Sequence, residues 1–258
     1  MIATVFKTVL RWSIRAGLLV LLLLVGPGYV YLSDRQEPVS WSTASRISAG
    51  LAPSPEAEPG AVIQVYAART FGWRGAFAVH TWIATKRAYA DSYRTHHVIG
   101  WYSGNKIRSS TDIPDRYWYG AAPSLVLDMR GDGTEDLIDK VEDAVASYPF
   151  AEEYRAWPGP NSNTFIAWIG RSVPELELEM PPLAVGKDYL GRTRFADFTP
   201  SHTGLQFNLA GLLGITAAAR EGLEVNILGL SLGVDPLDMN LSLPGIGRIG
   251  PDPNPARP

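Results

Sequence analysis

The sequence predicts an α+β protein: an antiparallel sheet with packed helices, preceded by one N-terminal transmembrane helix. Three observations favour this fold class. A long uncharged apolar run lies near the N-terminus, segments of alternating polarity are separated by polar turns, and two later segments have the apolar spacing of packed helices. With 258 residues, 46% of them hydrophobic, the chain is long enough to bury a real core in one domain plus attachments.

Charge and cysteine content exclude several classes of function. The formal net charge of −3 gives no reason to expect nucleic acid as a partner. The chain has no cysteine, which excludes disulfides, thiolate metal sites, a cysteine nucleophile and a lipid attached to cysteine. We assign no cofactor from the sequence.

The first 33 residues predict a membrane anchor. Lys7, Arg11 and Arg15 precede an uncharged run over 16–33, which with the residues just before it reaches the roughly 20 residues that span a bilayer. The basic flank is expected to stay in the cytoplasm, so the rest of the chain is exported. A cleaved signal peptide is the alternative, but no clear small-x-small cleavage site follows the leucines. We expect a single-pass inner-membrane protein with a periplasmic domain.

The remaining chain divides by composition into three parts. Residues 34–60 are rich in proline and predict a flexible linker, 61–195 an α+β core domain, and 196–258 a β-rich extension with a Gly/Pro-rich tail. Within the extension, 204–212 and 222–230 share the frame Gly-Leu-x-apolar-Asn-apolar-x-Gly-Leu at a spacing of eighteen. The match predicts two strands of one hairpin.

The core domain begins with alternating segments that predict strands over 61–67, 76–84 and 94–102. Folding the last two as a hairpin brings His80 opposite the pair His96 and His97. Because neighbouring residues of a strand point to opposite faces, at most one of the pair lies near His80. An aromatic and basic cluster at 116–119 either lines a groove or seals the sheet edge. A strand over 124–129 and an amphipathic helix that Thr134 caps follow.

The segment 154–165 has the densest polar and turn chemistry of the chain. Its Trp-Pro-Gly-Pro stretch cannot be helical, and the four capping residues Asn161–Thr164 then start a helix that we expect to end at Gly170. The first amides of a helix lack intrahelical partners, so a nucleophile or a bound anion placed there meets several donors. The alternative interpretation is that Ser162 and its neighbours are ordinary caps.

Several strings in the core resemble a family catalogued as domain of unknown function 3750. They are Gly-Trp-Arg-Gly-Ala-Phe-Ala-Val-His-Thr-Trp over 72–82, Pro-Asp-Arg-Tyr-Trp over 114–118, Trp-Pro-Gly-Pro-Asn-Ser-Asn-Thr-Phe over 157–165, and Gly-Lys-Asp-Tyr-Leu over 186–190. The resemblance covers nearly everything after Gly60 and brings no activity with it.

A more distant resemblance, to permuted papain-like proteins of the NlpC and lecithin:retinol acyltransferase group, implies a site. Those proteins carry a strand His in a motif like His80-Thr-Trp and later start a helix with an Asn-Cys-Asn-x-Phe-like motif, where this chain has Ser162 in place of the cysteine. The resemblance implies a papain-like groove with Ser162 as nucleophile, His80 as base, and His97 or His96 orienting His80. The candidate substrate-binding residues are Trp82, Tyr154, Trp157, Asn161, Asn163 and Asp188.

Two functions compete on these residues. The first is a non-catalytic binding or scaffold module that keeps the groove without the chemistry, because a Cys-to-Ser exchange often marks a retired site. The alternative is a serine-dependent amide or ester hydrolase or acyltransferase acting on peptidoglycan peptide or lipid. A weaker hypothesis is metal binding by the three histidines of the core with Asp188.

Overall fold

The computed structural model describes residues 2–33 and 40–251, and they form one long helix and two antiparallel sheets joined by packed helices. Residues 34–39 of the predicted linker and 252–258 of the predicted Gly/Pro-rich tail lie outside the described residues. Helix α1 (Ile2–Ser33) is long and apolar enough to cross a membrane, and a signal sequence would satisfy the same criterion. The α+β class and the single apolar N-terminal helix predicted from the sequence are confirmed.

The first sheet has five antiparallel strands in the order β4-β3-β2-β1-β5. Their bounds are β1 Val62–Arg69, β2 Val79–Lys86, β3 Arg94–Val98, β4 Ile107–Thr111 and β5 Ser124–Arg130. Strand β1 lies between β2 and β5 and is buried along nearly its whole length, which agrees with its valine and isoleucine content. The second predicted strand starts later than expected because Gly72–Ala76 forms a 3-10 helix, and β3 ends four residues earlier than predicted.

Two helices cover one face of this sheet and enclose the main core. Helix α2 (Thr134–Ala146) starts after Gly133, which occupies the cap position expected for Thr134, and helix α3 (Ser162–Ser172) runs past the predicted stop at Gly170. Gly170 is buried, and a Cβ there would lie 3.0 Å from the Pro200 Cβ, so this glycine serves close packing rather than helix termination. The core joins side chains of both helices to inward residues of the sheet: Ile63, Val65, Ile83, Ile138, Val141, Phe165, Ile166 and Ile169.

Residues 40–60, which the composition predicted to be a flexible linker, make specific contacts with the core at Asp115. The buried Asp115 carboxylate accepts hydrogen bonds from the Ser48 hydroxyl at 2.8 Å and from the Leu51 amide at 2.6 Å. Asp115 is one of several such contacts, since the Ile47 carbonyl also accepts a hydrogen bond from the Tyr117 amide at 2.9 Å and the Pro53 carbonyl accepts one from the Tyr93 hydroxyl at 2.9 Å. Together they order a segment whose own apolar content is too low to order it.

The second sheet is a meander of seven short strands, β6 to β12, in sequence order. The bounds are β6 Ala196–Phe198, β7 Gly204–Leu209, β8 Leu213–Ala218, β9 Gly222–Ile227, β10 Leu230–Asp235, β11 Asn240–Leu243 and β12 Gly247–Ile249. The two repeated segments contribute β7 and β9, which do not pair with each other because β8 lies between them. The prediction that they form one hairpin is therefore wrong.

The repeat instead encodes two successive hairpins. The Asn208 Oδ1 accepts a hydrogen bond from the Gly211 amide at 2.5 Å, and the Asn226 Oδ1 accepts one from the Gly229 amide at 2.9 Å. Both glycines have positive φ, as an Asx-type turn with a left-handed residue requires. The eighteen-residue period is thus the length of one strand-turn-strand unit.

Candidate functional site

The start of helix α3 is built by a reciprocal cap. The Asn161 Oδ1 accepts hydrogen bonds from the amides of Asn163 at 2.9 Å and Thr164 at 3.2 Å, and the Thr164 hydroxyl accepts one from the Asn161 amide at 3.1 Å. This is the capping-box arrangement, with a threonine in place of the more usual glutamate. The predicted helix start in the Asn161–Thr164 segment is confirmed.

The two asparagines also attach the helix to the neighbouring chain. The Asn161 Nδ2 donates to the Val185 carbonyl at 2.9 Å. The Asn163 Nδ2 donates to the carbonyls of Val79 and Val185, both at 2.9 Å, while its Oδ1 accepts from the Thr81 hydroxyl at 2.9 Å. Both asparagines border the cavity described below, but their polar atoms are used within the protein.

Ser162 differs from these neighbours. It is 4% exposed, and within the described part of the chain its hydroxyl makes no hydrogen bond. It lines a cavity of about 720 Å³ that lies between the helix start and the first sheet. The capping interpretation therefore explains Asn161 and Thr164 but leaves the Ser162 hydroxyl without a structural role.

The histidine of strand β2 lines the same cavity. Ile83 pairs with His96, and continuing this antiparallel register places His97 opposite Trp82, on the same face of the sheet as His80. The His80 Nε2 and the His97 Nδ1 are 3.4 Å apart, a long hydrogen bond. His96 points to the other face, where its Nδ1 bonds the Ser109 hydroxyl at 2.7 Å. Of the two histidines predicted to orient His80, the structure brings His97 to it and not His96.

Both imidazoles near the cavity are neutral at neutral pH. Burial, and secondly the neighbouring His97, hold the pKa of His80 well below its usual range. Burial also lowers the pKa of His97 to about 4. The His80 ring stacks on Trp118 with ring centroids 3.7 Å apart and planes 12° apart, which fixes its orientation.

The hydrogen bond to His97 also defines which His80 nitrogen is available. When His80 Nε2 carries the proton and donates it to the His97 Nδ1, the His80 Nδ1 keeps a free lone pair. In the described residues no hydrogen bond joins this ring to the Ser162 hydroxyl, although both line one cavity. The arrangement provides an oriented neutral base and an unengaged hydroxyl.

The other predicted substrate-binding residues lie in different places. Tyr154 lines the cavity. Trp82 is buried behind His80, where its indole N–H donates to the Pro114 carbonyl at 2.7 Å. Trp157 is directed to the second sheet and donates to the Leu228 carbonyl at 2.7 Å.

Asp188 is part of a buried ion cluster and does not line the cavity. The Lys187 Nζ lies 3.0 Å from the Asp188 carboxylate and 2.6 Å from the Glu224 carboxylate, and the Asn226 Nδ2 donates to the Asp188 Oδ2 at 2.6 Å. The cluster attaches the second sheet to the core. Asp188 therefore does not join the three core histidines, and no group of His, Asp and Glu in the described chain could hold a metal ion.

Aromatic side chains that the sequence did not single out individually form much of the cavity wall. They are Trp41, Phe71, Trp101, Trp118 and Tyr119. Two of them, Trp118 and Tyr119, belong to the aromatic and basic cluster at 116–119. Of the two roles predicted for that cluster, lining a groove agrees with this position. Trp41 carried no signal, because it belongs to the segment whose composition predicted a linker.

Comparison with known proteins identifies a family for the part of the chain that holds this site. A family model described as "Protein of unknown function (DUF3750)" matches residues 60–189, which include the first sheet, both core helices and the cavity residues of β2 and α3. The match ends before the second sheet. No curated protein and no solved structure matches the chain.

Proposed function

We propose that this chain, which belongs to the DUF3750 family, is a serine-dependent acyl hydrolase or acyltransferase with Ser162 as nucleophile and His80 as base. One observation carries the proposal. Of the four polar residues Asn161–Thr164, Ser162 has a hydroxyl that makes no hydrogen bond to any residue the structure describes, and it shares a cavity with a neutral histidine. A hydroxyl needs such a base, because it is not ionised at neutral pH.

The chemistry follows from the two side chains. The His80 Nδ1 accepts the hydroxyl proton while the Ser162 Oγ forms a bond to the carbonyl carbon of an ester or amide. The resulting imidazolium passes the proton to the leaving alcohol or amine as the carbon–oxygen or carbon–nitrogen bond breaks. Water, or a second alcohol or amine, then takes the acyl group by the same steps in reverse. His97 orients the base through the 3.4 Å contact.

Fewer backbone amides are available to an oxyanion here than at a helix N-terminus without a side-chain cap. Asn161 already occupies the amides of Asn163 and Thr164. The amide of Ser162 is the first of the helix and has no intrahelical acceptor, so it is the backbone donor that this helix offers to a developing oxyanion.

The cavity lining favours an apolar acyl group as substrate. Aromatic and aliphatic side chains dominate it, and Arg74 is its one charged residue among the described lining. Arg74 belongs to the 3-10 helix Gly72–Ala76, which packs against α1. A lipid ester or amide with an anionic head group suits this wall better than a peptidoglycan peptide, whose several charges would have one partner.

We also propose that the domain lies on the periplasmic side of the inner membrane. Lys7, Arg11 and Arg15 flank the apolar part of α1 on its N-terminal side, and such basic flanks stay in the cytoplasm. A membrane-impermeant maleimide added to intact cells should modify a Ser92→Cys variant, because Ser92 is exposed and the chain has no other cysteine. Modification only after the cells are broken would contradict this orientation.

The cysteine-free chain allows a direct test of the Ser162 environment. We expect a fluorophosphonate to label the wild-type protein and not Ser162→Ala. In Ser162→Cys, the thiol should be alkylated with a pKa below about 8.5, the value of an unperturbed cysteine, and adding His80→Asn should raise that pKa. Ser92→Cys, at an exposed serine in the connection between β2 and β3, is the matched control. A thiol in Ser162→Cys that titrates like the control, together with no fluorophosphonate labelling, would contradict the enzyme.

Two observations favour a second function. Ser162 and His80 are not hydrogen-bonded to each other, and Ser162 stands where the permuted papain-like proteins that the chain resembles have a cysteine. This second function is a binding module that holds an apolar ligand without chemistry. In that case Ser162→Ala should bind a fluorescent fatty acid as tightly as the wild type does, and fluorophosphonate should label neither protein.

A further inference from the structure

The second sheet reverses the usual placement of polar and apolar side chains. On β7, Gln206 and Asn208 are buried against the core, whereas Leu205, Phe207 and Leu209 are 49%, 58% and 53% exposed. A sheet that faces water on one side normally directs its polar residues outward. Here the polar residues are inside, where Glu224 and its neighbours meet the ion cluster of Lys187.

The outward face is apolar across five strands. Alternation along β7 to β11 leaves only Leu, Ile, Val, Phe and Ala at the outward positions, among them Phe207, Ile215, Leu223, Val234 and Leu241. With strands about 4.8 Å apart and roughly 3.3 Å per residue, the face measures on the order of 20 Å by 20 Å. A continuous apolar surface of this size marks a binding surface rather than an ordinary solvated face.

Helix α1 contacts the second sheet at the turn between β11 and β12. The turn between β11 and β12 packs directly on the helix, since a Cβ on Gly245 would lie 2.4 Å from the Pro27 nitrogen and Pro27 itself is buried. Pro27 is twelve residues beyond Arg15, the last charge before the apolar run, which is roughly 18 Å along a helix. With Arg15 at one surface of a hydrocarbon layer about 30 Å thick, this contact lies within the layer.

We propose that the outward face of β7 to β11 contacts membrane lipid, with its apolar side chains immersed beside helix α1. Every strand of this face is hydrogen-bonded to neighbours on both sides, so immersion removes no backbone group from its partner. The two edge strands, β6 and β12, have three residues each, which limits the unpaired backbone at the rim. The proposal rests on α1 spanning the membrane and is independent of any chemistry at Ser162.

Single cysteines introduced into the cysteine-free chain test the proposal. The full-length protein is reconstituted into vesicles of phosphatidylethanolamine and phosphatidylglycerol, with the fluorophore NBD attached at Phe207→Cys or Ile215→Cys. Leu18→Cys on α1 is the control inside the membrane, and Ser92→Cys is the control in water; both side chains are exposed on the protein. We expect spin-labelled lipid to quench the two sheet positions as it quenches Leu18→Cys, and aqueous iodide to quench only Ser92→Cys.

Two results would overturn the proposal. Iodide quenching of both sheet labels at the level of Ser92→Cys would place the face in water. Protection of both from iodide and from spin-labelled lipid would mean that a second copy or another protein covers it. The two sheet positions are on different strands and more than half exposed, so their replacement leaves the core unchanged, and either of these results at only one of them would also overturn the proposal.

Discussion

The contrast between Ser162 and Asn163 gives the most direct test of how the site is built. These adjacent residues are similarly buried at the start of α3, yet the Asn163 side chain makes three hydrogen bonds within the protein and the Ser162 hydroxyl makes none in the described chain. If Ser162 is reserved for a ligand or substrate, its removal should leave the fold unchanged, whereas removal of Asn163 should not.

The expected magnitudes follow from the contacts. Each hydrogen bond contributes about 1 kcal/mol net, and buried groups left without a partner add to the loss, so Asn163→Ala should lower the free energy of unfolding by about 3–4 kcal/mol. Ser162→Ala loses no such bond and gains slightly in helix propensity, so its change should stay within about 0.5 kcal/mol. For a domain of this size, the first change lowers the melting temperature by roughly 10 °C.

Unfolding of the full chain in detergent, followed by tryptophan fluorescence against denaturant, measures both changes. Asn163→Asp gives a second comparison: it puts a buried carboxylate oxygen against the Val79 and Val185 carbonyls in place of the donating Nδ2, so it should be at least as destabilising as Asn163→Ala. Equal destabilisation by Ser162→Ala and Asn163→Ala would refute the argument, because it would mean that the serine hydroxyl has a structural partner.

Three further predictions concern parts of the fold around the site. Burial lowers the pKa of His96 to about 4, so as pH falls from 6.5 towards 4 the unfolded chain binds a proton that the folded chain does not, and stability is lost. Between pH 7 and pH 5, the free energy of unfolding of His96→Asn should fall by up to about 2 kcal/mol less than that of the wild type. Denaturant titrations at the two pH values measure both losses, and equal losses would contradict this expectation. Lys187→Met leaves buried carboxylates unpaired and should cost about 3–5 kcal/mol, part of which Glu224→Gln in the same chain restores; simple additivity of the two losses would count against the ion cluster. Asp115→Ala should speed tryptic cleavage at Arg46 without unfolding the core, and an unchanged cleavage rate would mean that other contacts hold residues 40–60.

The sequence was most informative where a pattern depends on neighbouring residues. The cap at Asn161, the amphipathic helix α2 and the apolar helix α1 follow from local backbone chemistry and side-chain periodicity, which act over a few residues. Strand alternation likewise settled that only one of His96 and His97 could lie near His80.

It was least informative where a residue's role depends on a distant partner. Gly170 has the local signal of a helix stop, but close packing against Pro200 uses it inside the helix. Asp115 gave no local sign that it would hold residues 48–52. The eighteen-residue repeat was visible, but whether its copies pair with each other depends on the strand that lies between them.

The sequence by itself therefore determined the α+β class, the apolar N-terminal helix, the start of α3 and the alternation of polar and apolar residues along the strands. Only the tertiary structure decided that His97 rather than His96 meets His80 and that the second sheet turns its apolar side outward. It also decided that the Ser162 hydroxyl lines the cavity without a hydrogen bond to any described residue. The physical reason is range. Capping and periodicity are fixed by neighbours in the chain, whereas the direction in which a face points is fixed by what packs against its other side.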